Sequence, residues 1–588
     1  MHPVPAPPSA EDIARLVKVA LGQAPADLVI RGARLVNVFS ESVEPPGALA
    51  VAAGRVASLG PELAGWVGPD TVVHDGAGRF LIPGLIDAHT HLDSIFQLGP
   101  YSDLALARGN TTAVSETGMI AGAWGARGVR AFLAETEAAP MRVFFVTPAL
   151  VPPFPALETS AGMSADEIVA LLDHPACLGV GETYWPAVTD LDPRPLAAFA
   201  AALAMGKRVG GHAAGARQDK LMAYAAAGVS DCHESTTAEE AYARIRLGLM
   251  VQVREGIVRR EMEAVVPALK DLADTRLVSL VSDLCPLDEL VSQGVMNLLA
   301  KKAVALGVAP ARAVAWCSLN PARYYRLPGL GAAAPGYVAD LVLVDDLKDF
   351  NASAVFLGGR LVARDGAMLA PTPPLAWPAE ARASLRCPAV TVEMLKAPAR
   401  GERARVRVAR AVNGTITRAE EGLAPVRGGS ACADPAADLY KMAHVNRHQA
   451  GLEMAVGFCS GWGLRSGALA TTLIWDTCNL FGIGASDAEL AFALNRVREL
   501  GGGMAVVTGG EVLAELPLPI AGVTSPEPVA AIQARVEQCE AALRRLGCGL
   551  ERPFLAAQTF CFTGLPFLRL TNKGLVDIRR RQFVEVVL

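Results

Sequence analysis

The chain has 588 residues, 52% hydrophobic and 19% charged, with 54 Lys and Arg against 59 Asp and Glu for a net charge of −5. This composition excludes a disordered or polybasic chain, and its slight acidity argues against electrostatic capture of nucleic acid. No apolar run reaches the roughly 18 uninterrupted residues that a membrane-spanning helix needs, so no membrane association is expected.

At roughly 100–200 residues per domain, this length implies two to four domains. The N-terminus has no basic segment leading into an apolar core, so no secretory signal is read. Eleven cysteines are scattered without a CxxC pair. In a large chain without a signal, that usage points to reduced thiols and a cytoplasmic location.

Residues 1–25 read as an N-terminal extension, Pro/Ala-rich and then helical from Ser9 to about Leu21. Residues 26–80 hold short β-type runs separated by Gly, Pro and Asp turns, and this pattern returns over 331–370. The two stretches together predict one small β-sandwich domain split by an insertion. Between them, residues 81–330 alternate short apolar runs with helix-length segments. Strands are expected near 80–87, 111–115, 141–147, 177–182, 207–212, 228–232, 249–254 and 278–283. Eight strand–helix repeats predict an α/β chain built on a (β/α)8 TIM-like barrel, with a doubly wound parallel sheet as the alternative. The Pro-rich stretch 371–388 reads as a linker. Residues 389–588 form an additional α/β C-terminal domain, with a hairpin turn at Gly509-Gly510 and a helix through "PEPVAAIQARVEQCEAALRRLGC". Gly501–Gly503 lack a following GK[ST] and read as a turn, not a phosphate loop.

The strongest chemical signal is "LIPGLIDAHTHLD", an apolar strand ending in His89-Thr90-His91. Side chains at i and i+2 of a strand point the same way, so both imidazoles can reach one metal. His212 and His233 each follow an apolar run, where a barrel would bring them to the same C-terminal face. Glu182 and Asp283 end two further runs. His233-Glu234 fails as HExxH because position 237 is Thr. Four imidazoles and two carboxylates suffice for two divalent ions sharing Glu182 and a water, and the all-N/O donor set admits Mn, Zn or Fe. Such ions make hydroxide available near neutral pH. Asp283 can then accept the water's proton and return it to a leaving nitrogen, with Glu182 also catalytic as the bridge. Among other residues, Tyr184 and Trp185 follow Glu182 and can stack on a flat substrate. Arg254 follows an apolar strand and is the better-placed cation for an anionic group. Arg217 and Lys220 read as surface charges, and His74, His174, His444 and His448 as structural.

These residues resemble the amidohydrolase superfamily, whose pattern is HxH after strand 1, a bridging acid after strand 4, His after strands 5 and 6, and Asp after strand 8. Three longer stretches are similar to the adenine deaminase family: "GHAAGARQDKLMAYAAAGVSDCHESTTAEEAYARIRLGLMVQVREG", "LNPARYYRLPGLGAAAPGYVADLVLV" and "LNRVRELGGGMAVVTGGEVLAELPLPIAG". The resemblance implies hydrolytic deamination of adenine to hypoxanthine and ammonia by a metal-activated hydroxide. An amide, urea, carbamate or cyclic imide is the alternative substrate, and a non-catalytic metal-binding paralogue a third reading. A small-molecule substrate and a homo-oligomer are expected. The chain also departs from the family pattern. Glu116-Thr117-Gly118-Met119 stand in place of Asp-Pro-His-Glu, leaving Glu116 as a residue for substrate contact. Trp475-Asp476-Thr477-Cys478-Asn479 stand in place of His-Asp-Ser-His-Asn. Thr183-Tyr184-Trp185 replace Met-Met-Asn, and Cys285-Pro286 replace Arg-His.

Overall fold

The computed structural model describes residues 4–373 and 375–588. Its centre is a ring of parallel strands: β1 (Leu85–Thr90), β2 (Asn110–Ser115), β3 (Arg142–Thr147), β4 (Cys177–Tyr184), β5 (Arg208–His212), β6 (Asp231–Cys232), β7 (Met250–Arg254) and β8 (Val278–Val281). β1 to β5 pair in one arc and β6 to β8 in another. Two seams join the arcs. At one, the Ser230 amide donates to Val209 O at 3.0 Å. At the other, Thr90 and Asp283 form a parallel bridge, with Asp283 N donating to His89 O at 3.0 Å and His91 N to Asp283 O at 2.8 Å. Every residue of β1, β2, β3 and β8 is buried. Strands covered on both faces read as continuous apolar runs, which is where the high hydrophobic fraction goes.

The first strand differs from its expected bounds of 80–87. Phe80–Pro83 belongs to the flanking sheet, where it pairs antiparallel with Leu341–Val344. The barrel strand starts after Gly84, where the chain crosses from one sheet to the other. A Cβ at Gly84 would overlap the Thr111 side chain, so the crossing needs glycine. The sixth strand shrinks to two residues, because Ser230 and Gly211 are bonded at the seam rather than in a long ladder.

The flanking β-structure is one nine-stranded sheet, with strands from both sides of the barrel insertion. Leu28–Asn37 carries the fold. It passes Gly32 at φ +72°, and pairs with Val72–Asp75 along one half and Phe80–Pro83 along the other. Leu28, Ile30, Leu341 and Leu343 meet in the enclosed core. The N-terminal helix Ala10–Ala20, capped by Ser9 and Asp12, lies on this sheet: Val19 packs with Val29, Ala50 and Trp66. Asp340 ties sheet to barrel. Its carboxylate accepts from Arg142 Nε at 2.7 Å and from Gly358 N at 2.8 Å, with Arg142 and Asp340 both buried.

The C-terminal region is built on a nine-stranded sheet that runs from Ser430–Ala431 at one edge to Glu511–Pro517 at the other. Gly509 and Gly510, at φ +59° and +81°, turn the edge hairpin Gly503–Thr508/Glu511–Pro517, since an I′ turn requires positive φ at both positions. Helices Asp487–Glu499, Val529–Arg545 and Pro553–Cys561 pack against it. This region is bonded to the barrel. Thr524–Ser525 pairs in parallel with Ile95–Phe96, Thr159 N donates to Asn572 Oδ1 at 3.0 Å and Asn479 Nδ2 to Thr159 O at 2.9 Å. The Pro-rich stretch wraps back over the barrel, where Gln97 Nε2 donates to Leu375 O at 2.9 Å. Among the described residues, no helix is long and apolar enough to cross a membrane, and all eleven cysteines are free thiols.

Removing one partner of a buried ion pair takes the compensating charge from the other, at a cost of about 3–5 kcal/mol. Asp340→Ala is therefore expected to lower the thermal unfolding midpoint strongly, while exposed Asp345→Ala leaves it within about a degree. Equal midpoints would contradict the role given to Asp340.

Candidate metal centre and substrate cavity

The C-terminal ends of the barrel strands bring six predicted side chains together. His89 and His91 come from the end of β1, with ring centroids 5.5 Å apart. Glu182 comes from β4, His212 from the end of β5, His233 from just beyond β6 and Asp283 from two residues beyond β8. Glu182 lies between the imidazoles. Its Oε1 is 3.5 Å from His91 Nε2, and its Oε2 is 3.0 Å from His212 Nδ1 and 3.3 Å from His233 Nε2. Asp283 Oδ1 is 3.3 Å from His91 Nε2 and 3.5 Å from His89 Nε2. Three overlapping sets hold ligand atoms within 4.8 Å of one another: His89, His91 and Glu182; Glu182, His212 and His233; and His89, His233 and Asp283.

This donor set fits divalent cations. His89 Nε2 is buried without a hydrogen-bond partner, although it faces a carboxylate oxygen at 3.5 Å. An orphaned buried nitrogen is costly in an apolar interior, and a cation among these atoms removes the cost. The charges are also strained against burial. Burial and neighbouring His233 push His89 down to about 4. Burial opposes the charged form of His91, yet Asp283 and Glu182 outweigh it and drive the group up to about 10. Burial likewise opposes ionisation of Glu182 and Asp283, but the facing imidazoles hold both well below the usual carboxylate range.

The other predicted residues divide. Tyr184 lines a cavity of about 310 Å³ above the centre. Its ring meets His212 edge-on at 4.8 Å and stacks on Phe154 at 5.9 Å. Trp185 lies outside that lining: its indole N–H donates to Ala214 O at 2.9 Å, and the Lys220 ammonium sits 4.7 Å above its ring. Glu116 is beneath the centre, where Oε1 accepts from Glu182 N at 2.9 Å. A Cβ on Gly181 would overlap the Glu116 carboxylate, so the glycine makes its seat. Burial and the Glu182 charge push Glu116 up to about 8.

Arg254 reaches the cavity wall but is not free for an anionic group. Nη1 is 2.5 Å from Glu234 Oε1 and 3.2 Å from Asp283 Oδ2, while Nε and Nη2 bind Glu261 as a fork at 3.1 and 3.0 Å. Three carboxylates consume its donors, and one of them is Asp283. The geometry makes Arg254 a positioning residue for that carboxylate. Sequence reasoning missed Glu234, which had been weighed only as part of HExxH, and Glu261, which has no motif. It placed Met119 and Asp476 only among the departures that alter the pocket lining and did not single out Phe562; all three line the cavity with Trp475 and Leu473. Asp476 accepts from the Tyr184 hydroxyl at 3.1 and 3.2 Å. Two of the family departures touch: Cys478 Sγ donates to Met119 O at 3.2 Å and lies 4.0 Å from Met119 Sδ.

Comparison with known proteins agrees with the barrel and with the region beyond it. Residues 80–362 match the Amidohydrolase family, and residues 414–582 match the Adenine deaminase C-terminal domain. An adenine deaminase of Moorella thermoacetica is 37% identical over 99% of both chains. One of Desulfatibacillum aliphaticivorans is 33% identical, covering 97% of this chain and 99% of that one. Among solved structures, a beta-aspartyl dipeptidase from Fervidobacterium islandicum AW-1 superposes with a TM-score of 0.45 at 18% identity, covering 58% of this chain and 98% of that chain. Fold and family match together define a metal-dependent hydrolase acting on C–N bonds. Within that class, the chain belongs to the adenine deaminase family.

Because the donors of Arg254 at the cavity wall are engaged by Glu234, Glu261 and Asp283, Arg254→Gln is expected to lower kcat by about ten-fold or more and leave KM within about two-fold, with metal content unchanged. A raised KM at constant kcat would return Arg254 to substrate binding.

Proposed function

We propose that the chain hydrolyses adenine to hypoxanthine and ammonia, acting on the carbon that bears the exocyclic amine. The observation that carries this reading is the shared Glu182, whose two oxygens face two different groups of imidazoles. His89, His91 and Glu182 would hold one divalent ion, Mn, Zn or Fe, and Glu182, His212 and His233 a second, with Asp283 beside the first. When bound, these ions supply Lewis acidity and lower the pKa of the attacking water.

The chain's own residues supply the rest. Asp283 accepts the proton of the attacking water and returns it to the departing nitrogen as the C–N bond breaks and the C–O bond forms. Arg254 keeps its carboxylate aimed at that task. Tyr184, Trp475 and Phe562, whose rings meet edge to face, confine a flat base and exclude bulk water. One observation favours a second reading, a substrate such as an amide, urea, carbamate or cyclic imide on the same centre. It is the apolar Met119–Cys478 contact, where the family pattern has polar groups.

Ammonia release from adenine, measured against a panel of amides and ureas, separates the two. The expected result is turnover of adenine by the metal-loaded protein, loss of metal and activity in His89→Ala, and a fall of about 10²–10⁴ in kcat for Asp283→Asn. No turnover of adenine alongside turnover of an amide would replace the first reading with the second.

A further inference from the structure

Asp476 lies 292 residues from Tyr184 in sequence, yet it reaches the same cavity and accepts the tyrosine's hydroxyl. The loop that delivers it is held in an unusual shape. Asp476 stands at φ +66° and Cys478 at φ +49°, in the left-handed region that is unfavourable for most side chains and that Asp tolerates better than most. Several contacts impose that shape. Gly122 has no Cβ where the Asp476 carbonyl oxygen sits, since one would overlap it. Cys478 Sγ donates to Met119 O, Asn479 Nδ2 donates to Thr159 O, and His448 Nε2 lies 2.9 Å from Thr477 O. Barrel residues and His448 of the C-terminal region therefore hold the loop's backbone in place, and the Tyr184 hydroxyl holds the carboxylate.

A carboxylate can accept about four hydrogen bonds. Among the described residues, the Asp476 carboxylate has one hydrogen-bond donor, the Tyr184 hydroxyl. The cavity wall it belongs to is apolar or aromatic on one side, with Met119, Leu473, Trp475 and Phe562, and carries Glu182, His91 and His212 on the other. In such surroundings an acceptor that is met by a donor gains more than in water, and one left unmet is penalised. Tyr184 also touches His212 of the six-residue centre, so Asp476 stands one side chain away from the reacting position.

We propose that Asp476 anchors the substrate by accepting a ring N–H of a flat nitrogen heterocycle, at an edge away from the carbon under attack, with the Tyr184 hydroxyl fixing the carboxylate's orientation. This rests on the deaminase reading and adds to it a group that selects among heterocycles. The six-residue centre would act on the amine-bearing carbon, while Asp476, contributed by the C-terminal region, would read the opposite edge.

The test compares the full-length wild type with Asp476→Asn and Tyr184→Phe on adenine and on 9-methyladenine, which lacks the imidazole N–H. Asn keeps the shape and tolerates the left-handed backbone. With the tyrosine hydroxyl bonded to its oxygen, it presents a donor where an acceptor stood. Asp476→Asn is expected to lower kcat/KM on adenine by about 30- to 100-fold, mostly through KM, and to leave 9-methyladenine within about three-fold, so that the discrimination ratio collapses. Tyr184→Phe is expected to move the ratio the same way by about five-fold, with metal content and unfolding midpoint unchanged in both. An equal loss on both compounds, or no loss, would overturn the assignment. Calorimetric binding of the two compounds to the same proteins gives the ratio without turnover. A wild type that binds adenine but releases no ammonia would overturn the deaminase reading alone. Equal binding ratios in wild type and Asp476→Asn would overturn the Asp476 assignment alone, and a wild type that binds neither compound would overturn both.

Discussion

One carboxylate, Glu182, faces imidazoles on two sides, and the surrounding structure is arranged around that constraint. A buried carboxylate is expensive unless opposite charge or hydrogen-bond donors meet it. Here three strand ends provide them: His91 on one oxygen, His212 and His233 on the other. Such convergence is available at the mouth of a closed parallel barrel, where strands distant in sequence end on one face. The seam between β1 and β8 then matters directly to chemistry. The bridge between Thr90 and Asp283 sets the backbone of Asp283 beside the His89-Thr90-His91 pair.

Around this centre, the supporting groups are as tightly bound as the central ones. Glu116 holds the Glu182 backbone from below, and Asp87 accepts from the Ser282 hydroxyl at 2.5 Å, next to Asp283. Arg254 spans Glu234, Glu261 and Asp283. These contacts orient the groups that face the cavity, and a loosened orientation costs rate even when no contact to substrate is lost. The C-terminal region takes part in the site as well. It supplies Trp475, Asp476 and Phe562 to the wall and is bonded to the barrel through Ile95–Phe96, Thr159 and Ala123.

The barrel and its six side chains were legible in the sequence because each lies at the end of an apolar run, where strand period and residue type speak together. His89 and His91 needed one strand to be placed on one side; Glu182 and Asp283 needed only a run with an acid at its end. The first strand's start was misplaced because Phe80–Pro83 and Leu85–Ile86 are two apolar runs parted by a single glycine, and the sheet change at Gly84 depends on Thr111. Arg254 was visible as a cation after a strand, but its partner Glu261 lies beyond a turn with no periodic signal. Trp185 and Tyr184 are adjacent, yet they leave the strand end in different directions, and the sequence could not divide them. Asp476 was hardest to assign, since its place depends on contacts between regions far apart in the chain.

The shared carboxylate is tested most directly by metal content. Wild-type protein, loaded and desalted, is predicted to hold two divalent ions per chain, and Glu182→Gln to retain fewer than one, because the two groups of imidazoles lose the shared negative charge and one of its two oxygens becomes an NH2 that cannot ligate, while the fold stays intact by thermal unfolding. A folded Glu182→Gln protein that keeps both ions would contradict the account.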